Sequence, residues 1–389
     1  MRRARHPRAA VLSVLVLGLG LVVIPATAGV RAAEGAGTIP RPDRPPTALQ
    51  RVLDEAVRQG SPGALAQSRT YGTVRNLSSG VADIRTRRPP RADMRFRAGS
   101  VTKTFVATVI LRLVAAGRLE LDDTIGDVLP GVVPEPGDDT ITIRMLLNHT
   151  SGLYDYTLDP RVEQIVVSDP THCFTPAELV RFAAEHPLSF PPGTSWAYSN
   201  TDYTLLSMVI EKITGRSYAQ EITRTLLRPL GLRDTYFPGC SPRIRGPHMS
   251  GYTRADPAQP EIEDVTTYNP SFAAGEGDMI STVGDLNRFD TALLAGRLLP
   301  ARLLRMMLTP TPGSFPGSDT FRYGLGVVIA TTSCGVTTYG HAGEIQGWQT
   351  WMSGTLGGRH AMSFVLNSDW LDQGGIIIRA VNAEYCRTL

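Results

Sequence analysis

Residues Val101 to Gly117 constrain the fold more than any other stretch of this chain. From Val101 through Thr104-Phe105-Val106-Ala107 to Val109-Ile110-Leu111 and Leu113-Val114, the run is apolar around almost its whole helical circumference. A helix with no polar face cannot lie on a surface, so the rest of the chain has to wrap it on every side. The composition, 42% hydrophobic and 19% charged, supplies a core large enough to do so. Gly117 stops the helix.

At the mouth of this helix stands Lys103, one of only two lysines among 39 basic side chains; the other is Lys212. Arginine keeps its proton in a protein, whereas a desolvated lysine can give it up. Ser100 lies one helical turn earlier, so the two side chains share a face. Burial disfavours the ammonium form and frees the amine to take the serine proton. A serine at a helix N-terminus also has free N–H groups and the positive end of the dipole to receive an oxyanion. Ser100 is therefore a candidate nucleophile and Lys103 its candidate base.

The flanking pattern sets the fold class. Thr47 caps a helix with its apolar face at Leu49, Val52, Leu53, Ala56 and Val57, and strands are expected near Ala64–Arg69, Thr73–Ile84 and Met94–Ala98. The arginine-rich run Arg85–Arg91 reads as a solvated turn. Helical signals then dominate: Thr142 opens one helix before His149, Thr175-Pro176-Ala177-Glu178 another, a third starts near Thr201 and stops at Gly215, and Thr282-Val283-Gly284-Asp285 is a capping box. Beyond Pro310, strands are expected at Tyr323–Ala330, Val336–Gly340, Glu344–Gly354 and Arg359–Asn367, with a closing helix from Trp370 to Cys386. The expected fold is α/β (α+β): an antiparallel sheet built from both ends of the chain and flanked by helices, with a large, mainly helical region inserted. In domain terms, residues 47–389 form one unit, with its α/β part at about 47–99 and 305–389 and its helical part at about 100–304.

The first residues fall outside that unit. A basic start, Met1 to Arg8, precedes an apolar run from Ala9 to Ile24 and the small-x-small site Ala26-Thr27-Ala28, so residues 1–28 read as a cleaved signal peptide and the protein as secreted, with no stable membrane anchor. Residues 29–46, rich in Gly, Pro and Arg, read as a flexible linker. The leader holds Arg2, Arg3, Arg5 and Arg8 and no acid, which leaves 35 of the 39 basic residues against 36 acidic ones. No basic surplus remains to favour a nucleic-acid partner.

Four cysteines, Cys173, Cys240, Cys334 and Cys386, point to disulfides in an exported chain. Three connectivities are open; Cys173–Cys240 with Cys334–Cys386 is favoured because each pair then lies within one structural region. The cysteines are scattered, none forms a C-x-x-C pair, and the histidines lack H-E-x-x-H spacing, so neither a metal nor any other cofactor is expected.

Two further clusters carry chemistry. Tyr198-Ser199-Asn200 offers a phenol for proton transfer, with a pKa that a nearby ammonium would depress, and an amide to orient a carbonyl. The alternative is a core tyrosine with an asparagine cap. Tyr339-Gly340-His341-Ala342-Gly343-Glu344 places a histidine on a strand between glycines, where backbone can approach a ligand closely; the alternative is a satisfied structural histidine. His149 is a second candidate base for Ser100, but there is no G-x-S-x-G elbow, and organising the loop before Gly152 is the favoured role.

In this order and at these separations, Ser100-Val101-Thr102-Lys103, Tyr198-Ser199-Asn200 and Tyr339-Gly340-His341 resemble the serine β-lactamases and penicillin-binding proteins. The likeness covers about residues 48–389 and is nearest to secreted D-alanyl-D-alanine carboxypeptidases and class C β-lactamases. Phe96–Lys103 and His149-Thr150-Ser151-Gly152 add to it, as does Cys334-Gly335 with Cys386. The resemblance implies that Ser100 is acylated, that Lys103 accepts its proton in concert with Tyr198, and that Asn200 holds the substrate amide. It further implies that His341 is a proton donor or electrostatic partner and that the N–H groups of Ser100 and Glu344 form the oxyanion hole, with Gly343 and Glu344 lining the substrate site.

The third motif departs from the carboxypeptidase pattern, His-Thr-Gly-Thr. Ala342 and Glu344 replace hydroxyls that would grip a terminal carboxylate, and Glu344 adds a negative charge. The expected substrate is thus a small peptide, a β-lactam or an ester. The expected activity is a carboxypeptidase-like serine hydrolase acting on cell-wall peptides, with a β-lactamase, an esterase and a non-turnover penicillin- or peptidoglycan-binding module as alternatives. Sequence sets no oligomeric state.

Overall fold

A computed structural model describes residues 47–134, 137–169, 171–254 and 261–386. The leader expected at 1–28 and the linker at 29–46 lie outside the described residues. The Thr47 hydroxyl accepts the Gln50 N–H and starts helix α1, Ala48–Arg58. Strands β1, Gly63–Thr70, and β2, Thr73–Gly80, follow as a hairpin. The apolar run becomes helix α2, Thr102–Ala115, preceded by a single 3₁₀ turn at Gly99–Val101. Helices α3, Asn200–Thr214, and α4, Val283–Leu294, come next. The C-terminal part supplies strands β3, Phe321–Tyr323, β4, Val328–Thr331, β5, Thr337–Ile345, β6, Trp348–Gly354, and β7, His360–Leu366, then helix α5, Gln373–Tyr385.

These seven strands form one antiparallel sheet in the order β2-β1-β7-β6-β5-β4-β3. The N-terminal strand β1 pairs with the C-terminal β7, Ala64 opposite Leu366 and Thr70 opposite His360. The sheet is therefore built from both ends of the chain, as the pattern implied. Strand periodicity decides its two faces. Ala64 and Ala66 of β1 join Trp351, Phe364 and Leu366 under α1 and α5, against Leu49, Leu53, Ile377 and Val381. Leu65, Met352 and Val365 face the other way, into the larger core with α4 and α2. Phe105 of α2 stacks on Phe289 of α4, ring centroids 3.6 Å apart. Every residue from Thr102 to Leu111 is buried, the fate required of a helix with no polar face.

Several expected boundaries moved. The segment Tyr323–Ala330 is not one strand, because the chain turns through Gly326, whose φ of 79° suits glycine, between β3 and β4. Conversely, β5 runs unbroken through His341-Ala342-Gly343, and the turn falls at Gln346-Gly347. The glycines that looked like a break are demanded by crowding: a Cβ on Gly340 would lie 1.8 Å from the Met352 carbonyl oxygen. The strand expected at Met94–Ala98 shrinks to Phe96–Arg97, paired with Ile280–Ser281. Helix α4, inside the stretch expected to be a separate helical region, packs directly on the sheet at Leu286, Phe289 and Leu293.

Both favoured disulfides form, Cys173–Cys240 and Cys334–Cys386. Among the described residues, no helix is long and apolar enough to cross a membrane.

Candidate active site

The turn that carries Ser100 is pressed against β5, backbone to backbone. Gly99 has a φ of 54°, and a Cβ there would sit 2.8 Å from the Glu344 nitrogen; a Cβ on Gly343 would sit 2.0 Å from the Ala98 carbonyl oxygen. Only glycine fits at either position, so the sequence itself fixes the distance between Ser100 and the strand. Gln373, at the start of α5, donates to the Gly343 carbonyl at 2.8 Å and holds β5 from behind.

Ser100 and Lys103 are joined as their spacing predicts. Lys103 is fully buried, and its Nζ lies 2.9 Å from Ser100 Oγ, 2.7 Å from Asn200 Oδ1, 3.1 Å from the Glu276 carbonyl and 2.5 Å from Glu276 Oε2. Burial drives the Lys103 amine below the usual lysine range, with the Glu276 carboxylate opposing that shift. Burial drives Glu276 above the usual carboxylate range, opposed by Lys103. The two values approach each other, which makes one proton easy to share between them.

Glu276 is the partner that sequence reasoning missed. It sits in Gly275-Glu276-Gly277, a run that reads locally as a loop, and meets Lys103 only through the fold, 173 positions away. A charged residue held between glycines just ahead of a capped helix was the one available signal.

Tyr198 reaches Ser100. Its hydroxyl is hydrogen-bonded with Ser100, and Lys103 Nζ lies 5.0 Å from its ring centre. The depressed phenol pKa expected from a nearby ammonium is not found. Desolvation and the Glu276 carboxylate push Tyr198 well above its ordinary value, so it is a neutral hydroxyl, not a phenolate.

Asn200 faces Lys103 rather than open space. Its Oδ1 accepts from Lys103, and its Nδ2 donates to Asp155 Oδ2 at 3.0 Å and Thr157 Oγ1 at 3.3 Å. Both ends of the amide are taken by the protein, so a substrate amide would have to share them. Asp155 thereby fixes which way the amide points.

His341 also differs from expectation. Burial lowers it to about 3, so the imidazole is neutral; Nδ1 meets the Ala342 carbonyl at 2.5 Å and Nε2 lies 2.9 Å from the Tyr323 hydroxyl. Neither a cationic partner nor a ready proton donor stands there. Tyr323 is the polar partner that His341 meets beyond its own strand.

His149 does not serve Ser100. It caps the helix Ile143–Asn148 in the left-handed region, φ 63°, and its Nδ1 lies 2.9 Å from Asp202 Oδ2 while accepting the Ser199 N–H at 3.3 Å. Ser151 Oγ donates to the other Asp202 oxygen at 2.6 Å. Burial pushes Asp202 well above and His149 well below their ordinary values, which favours the neutral form of each. This neutral pair braces the floor beneath Tyr198, ring centroids 4.3 Å apart.

Arg97, in the two-residue strand leading to Ser100, was also unmarked in the sequence. It is buried without an acid partner, donating to the carbonyls of Pro242 at 2.8 Å and Tyr268 at 2.9 Å, and lies 4.1 Å from the Tyr268 ring centre. Its fork ties the loop carrying Cys240 to the nucleophile's strand. On β5, Glu344 is half-buried near Asp369, and burial with that second carboxylate raises it to about 7. Among the described residues, no group of three or more His, Cys, Asp or Glu side chains is arranged to hold a metal ion.

The arrangement offers a half-buried serine, a buried amine within proton reach, a neutral phenol beside both, and a backbone strand alongside. Comparison with known proteins bears on the family and the fold. The beta-lactamase family model matches residues 49–383. A D-stereospecific amidohydrolase from a Streptomyces species is 40% identical, with a TM-score of 0.81 over 88% of this chain and 99% of that one. The esterase EstB of Burkholderia gladioli is 36% identical over 52% of this chain and 54% of its own. Penicillin-binding protein 4* of Bacillus subtilis is 30% identical over 75% of this chain and 65% of its own. The chain thus spans between about half and two thirds of these two curated relatives' lengths.

Proposed function

The chain belongs to the beta-lactamase family, and from that premise we propose that it is a secreted serine hydrolase that works through an acyl-enzyme on Ser100, cleaving small amides or esters of D-configured amino acids. The observation that carries the reading is the fully buried Lys103 amine 2.9 Å from Ser100 Oγ. Ser100 Oγ attacks the substrate carbonyl as its proton passes to Lys103. The N–H groups of Ser100 and Glu344 receive the oxyanion. The neutral Tyr198 hydroxyl relays the proton from Lys103 to the leaving group and recovers one in exchange. Water then hydrolyses the ester on Ser100 by the same steps in reverse. His341, Asp155 and Asp202 hold this machinery in place.

The substrate preference is supported by β5. Ala342 and Glu344 offer no hydroxyl to a terminal carboxylate, and a half-buried carboxyl at about 7 repels one above neutral pH. The likeness to a D-stereospecific amidohydrolase supports the same choice. A D-alanyl-D-alanine carboxypeptidase acting on cell-wall peptides is the second reading, favoured by His341 on β5 and the bridge from Cys334 to Cys386 at the strand's foot. The leader sequence and the two disulfides support export.

The test is turnover of a D-amino-acid amide, a short acyl ester, a D-alanyl-D-alanine peptide and a chromogenic cephalosporin, with intact-mass analysis of the protein. The amide and ester should turn over faster than the peptide, and Ser100→Ala should abolish all four reactions and the mass adduct. A peptide preferred over the amide selects the second reading, and a rapidly lost cephalosporin adduct a β-lactamase. Activity retained by Ser100→Ala overturns the proposal. The N-terminus of protein recovered from culture medium tests export; a start at Gly29 is expected.

A further inference from the structure

We propose that Glu276 is a working part of the catalytic apparatus, the store for the proton that Lys103 must shed before it can serve Ser100. The geometry rests on four contacts. Glu276 Oε2 lies 2.5 Å from Lys103 Nζ, its own backbone carbonyl accepts from the same amine at 3.1 Å, its side chain is hydrogen-bonded with Ser100, and Lys103 reaches Ser100 Oγ at 2.9 Å. Both side chains are buried, Lys103 completely. An ammonium enclosed in this way is shut off from bulk solvent, and the Glu276 carboxylate oxygen is the nearest of its acceptors.

The step balances without outside help. At rest the pair holds one proton more than a free amine and a carboxylate. That proton moves from Nζ to Oε2, leaving a neutral amine beside a neutral acid. Ser100 Oγ–H then gives its proton to Nζ as Oγ bonds to the substrate carbonyl carbon, and the carbonyl π pair moves onto oxygen. When the tetrahedral species collapses, the bond to the leaving group breaks and that group takes the proton from Nζ through Tyr198. The amine and the acid are left as they were before attack. No net charge is created in the buried pair until the ammonium forms opposite the oxyanion, where the two charges offset each other.

Asn200 and Asp155 make the pair selective. With Asn200 Oδ1 fixed on Nζ at 2.7 Å, the amine is aimed at Ser100 and Glu276 and nowhere else. Besides Lys103 and Ser100, the groups that face Glu276 are Asp155, Tyr156, Tyr198, Tyr268 and Asp278. Burial raises both carboxylates among these, Asp278 to about 7, and the phenols stay protonated; Asp155 is tied to Asn200 and Thr157, and Asp278 to Tyr218 and Gly275, so each is engaged elsewhere than on the Lys103 amine.

The inference rests on the Ser100 reading above and is tested apart from it. The experiment measures acylation of the full chain by an activated ester between pH 5.5 and 9, in wild type, Glu276→Gln and Glu276→Asp, with thermal melting of each. In wild type the proton is redistributed within the pair, so the rate should be nearly flat across neutral pH. Glu276→Gln has to release the Lys103 proton to solvent, so its rate should fall by about a hundredfold at pH 6 and climb with pH. Glu276→Asp should keep the flat profile at a reduced rate. A Glu276→Gln rate within threefold of wild type, or a loss with the same slope in all three proteins, overturns the proposal. If Glu276→Gln does not fold, a sloping profile for Glu276→Asp overturns it instead. Loss of the Ser100 reading shows separately, as activity in Ser100→Ala.

Discussion

Gly343 faces Ala98 across a gap that admits no side chain: a Cβ on the glycine would come within 2.0 Å of the Ala98 carbonyl oxygen. The strand and the turn that carries Ser100 are thus held at a separation set by the absence of one methyl group. Replacing Gly343 with alanine should force the two apart. We expect a loss of about 1–3 kcal/mol in stability from overpacking, read by denaturant unfolding, and a fall of at least a hundredfold in acylation rate, since small displacements of reacting groups are costly.

Asn200→Ala separates two roles for the amide. Because Oδ1 goes to Lys103 and Nδ2 to Asp155, the substitution should lower kcat by about a hundredfold, through a misplaced amine, and change KM little. A raised KM with kcat preserved would mean that the amide belongs to the substrate after all.

Glu344 should make stability depend on pH in a definite direction. Its folded-state value, about 7, lies above the ordinary carboxylate value of 4.5. Between those values the folded protein binds the proton and the unfolded chain does not, so this group's contribution falls as pH rises from about 4.5 to 7. Glu344→Gln should therefore gain stability over wild type at pH 8 relative to pH 5, on the order of 2 kcal/mol. Chemical denaturation of both proteins at the two pH values measures it; an equal difference at both would refute it.

The Cys334–Cys386 bridge closes a loop across 52 positions and lies away from Ser100, joining the β4–β5 turn to the end of α5. Replacing both cysteines by alanine should cost up to about 4 kcal/mol by loop entropy. Turnover at 25 °C should be retained, provided the protein remains folded. Melting temperature and initial rate of the double variant give the two readings.

What sequence made legible here was local. An all-apolar helix, a serine and a lysine one turn apart, and side-chain caps at Thr47, Thr142, Thr175 and Thr282 are all written within a few residues, and all four caps are present. Pairing of the two chain ends also followed from the order of the strands. Contacts decided at long range were illegible. Glu276 is an unremarkable loop residue until folding lays it on Lys103. The glycines at 340 and 343 resembled a turn because nothing local reveals that Met352 and Ala98 lie against them. The sign of the Tyr198 shift was misjudged for the same reason: an ammonium nearby was foreseeable, but the carboxylate that outweighs it was not.

Strand β1 finds its partner in β7, and the turn at Gly99 finds its wall in β5. Synthesis therefore releases Ser100 long before the backbone that completes its surroundings exists. A chain cut short before residue 337 carries Ser100 and Lys103 but lacks the far wall of the site, and one cut before 360 leaves β1 with β2 alone beside it. The candidate site is thus a late product of folding, complete only once the last strands have closed over the first.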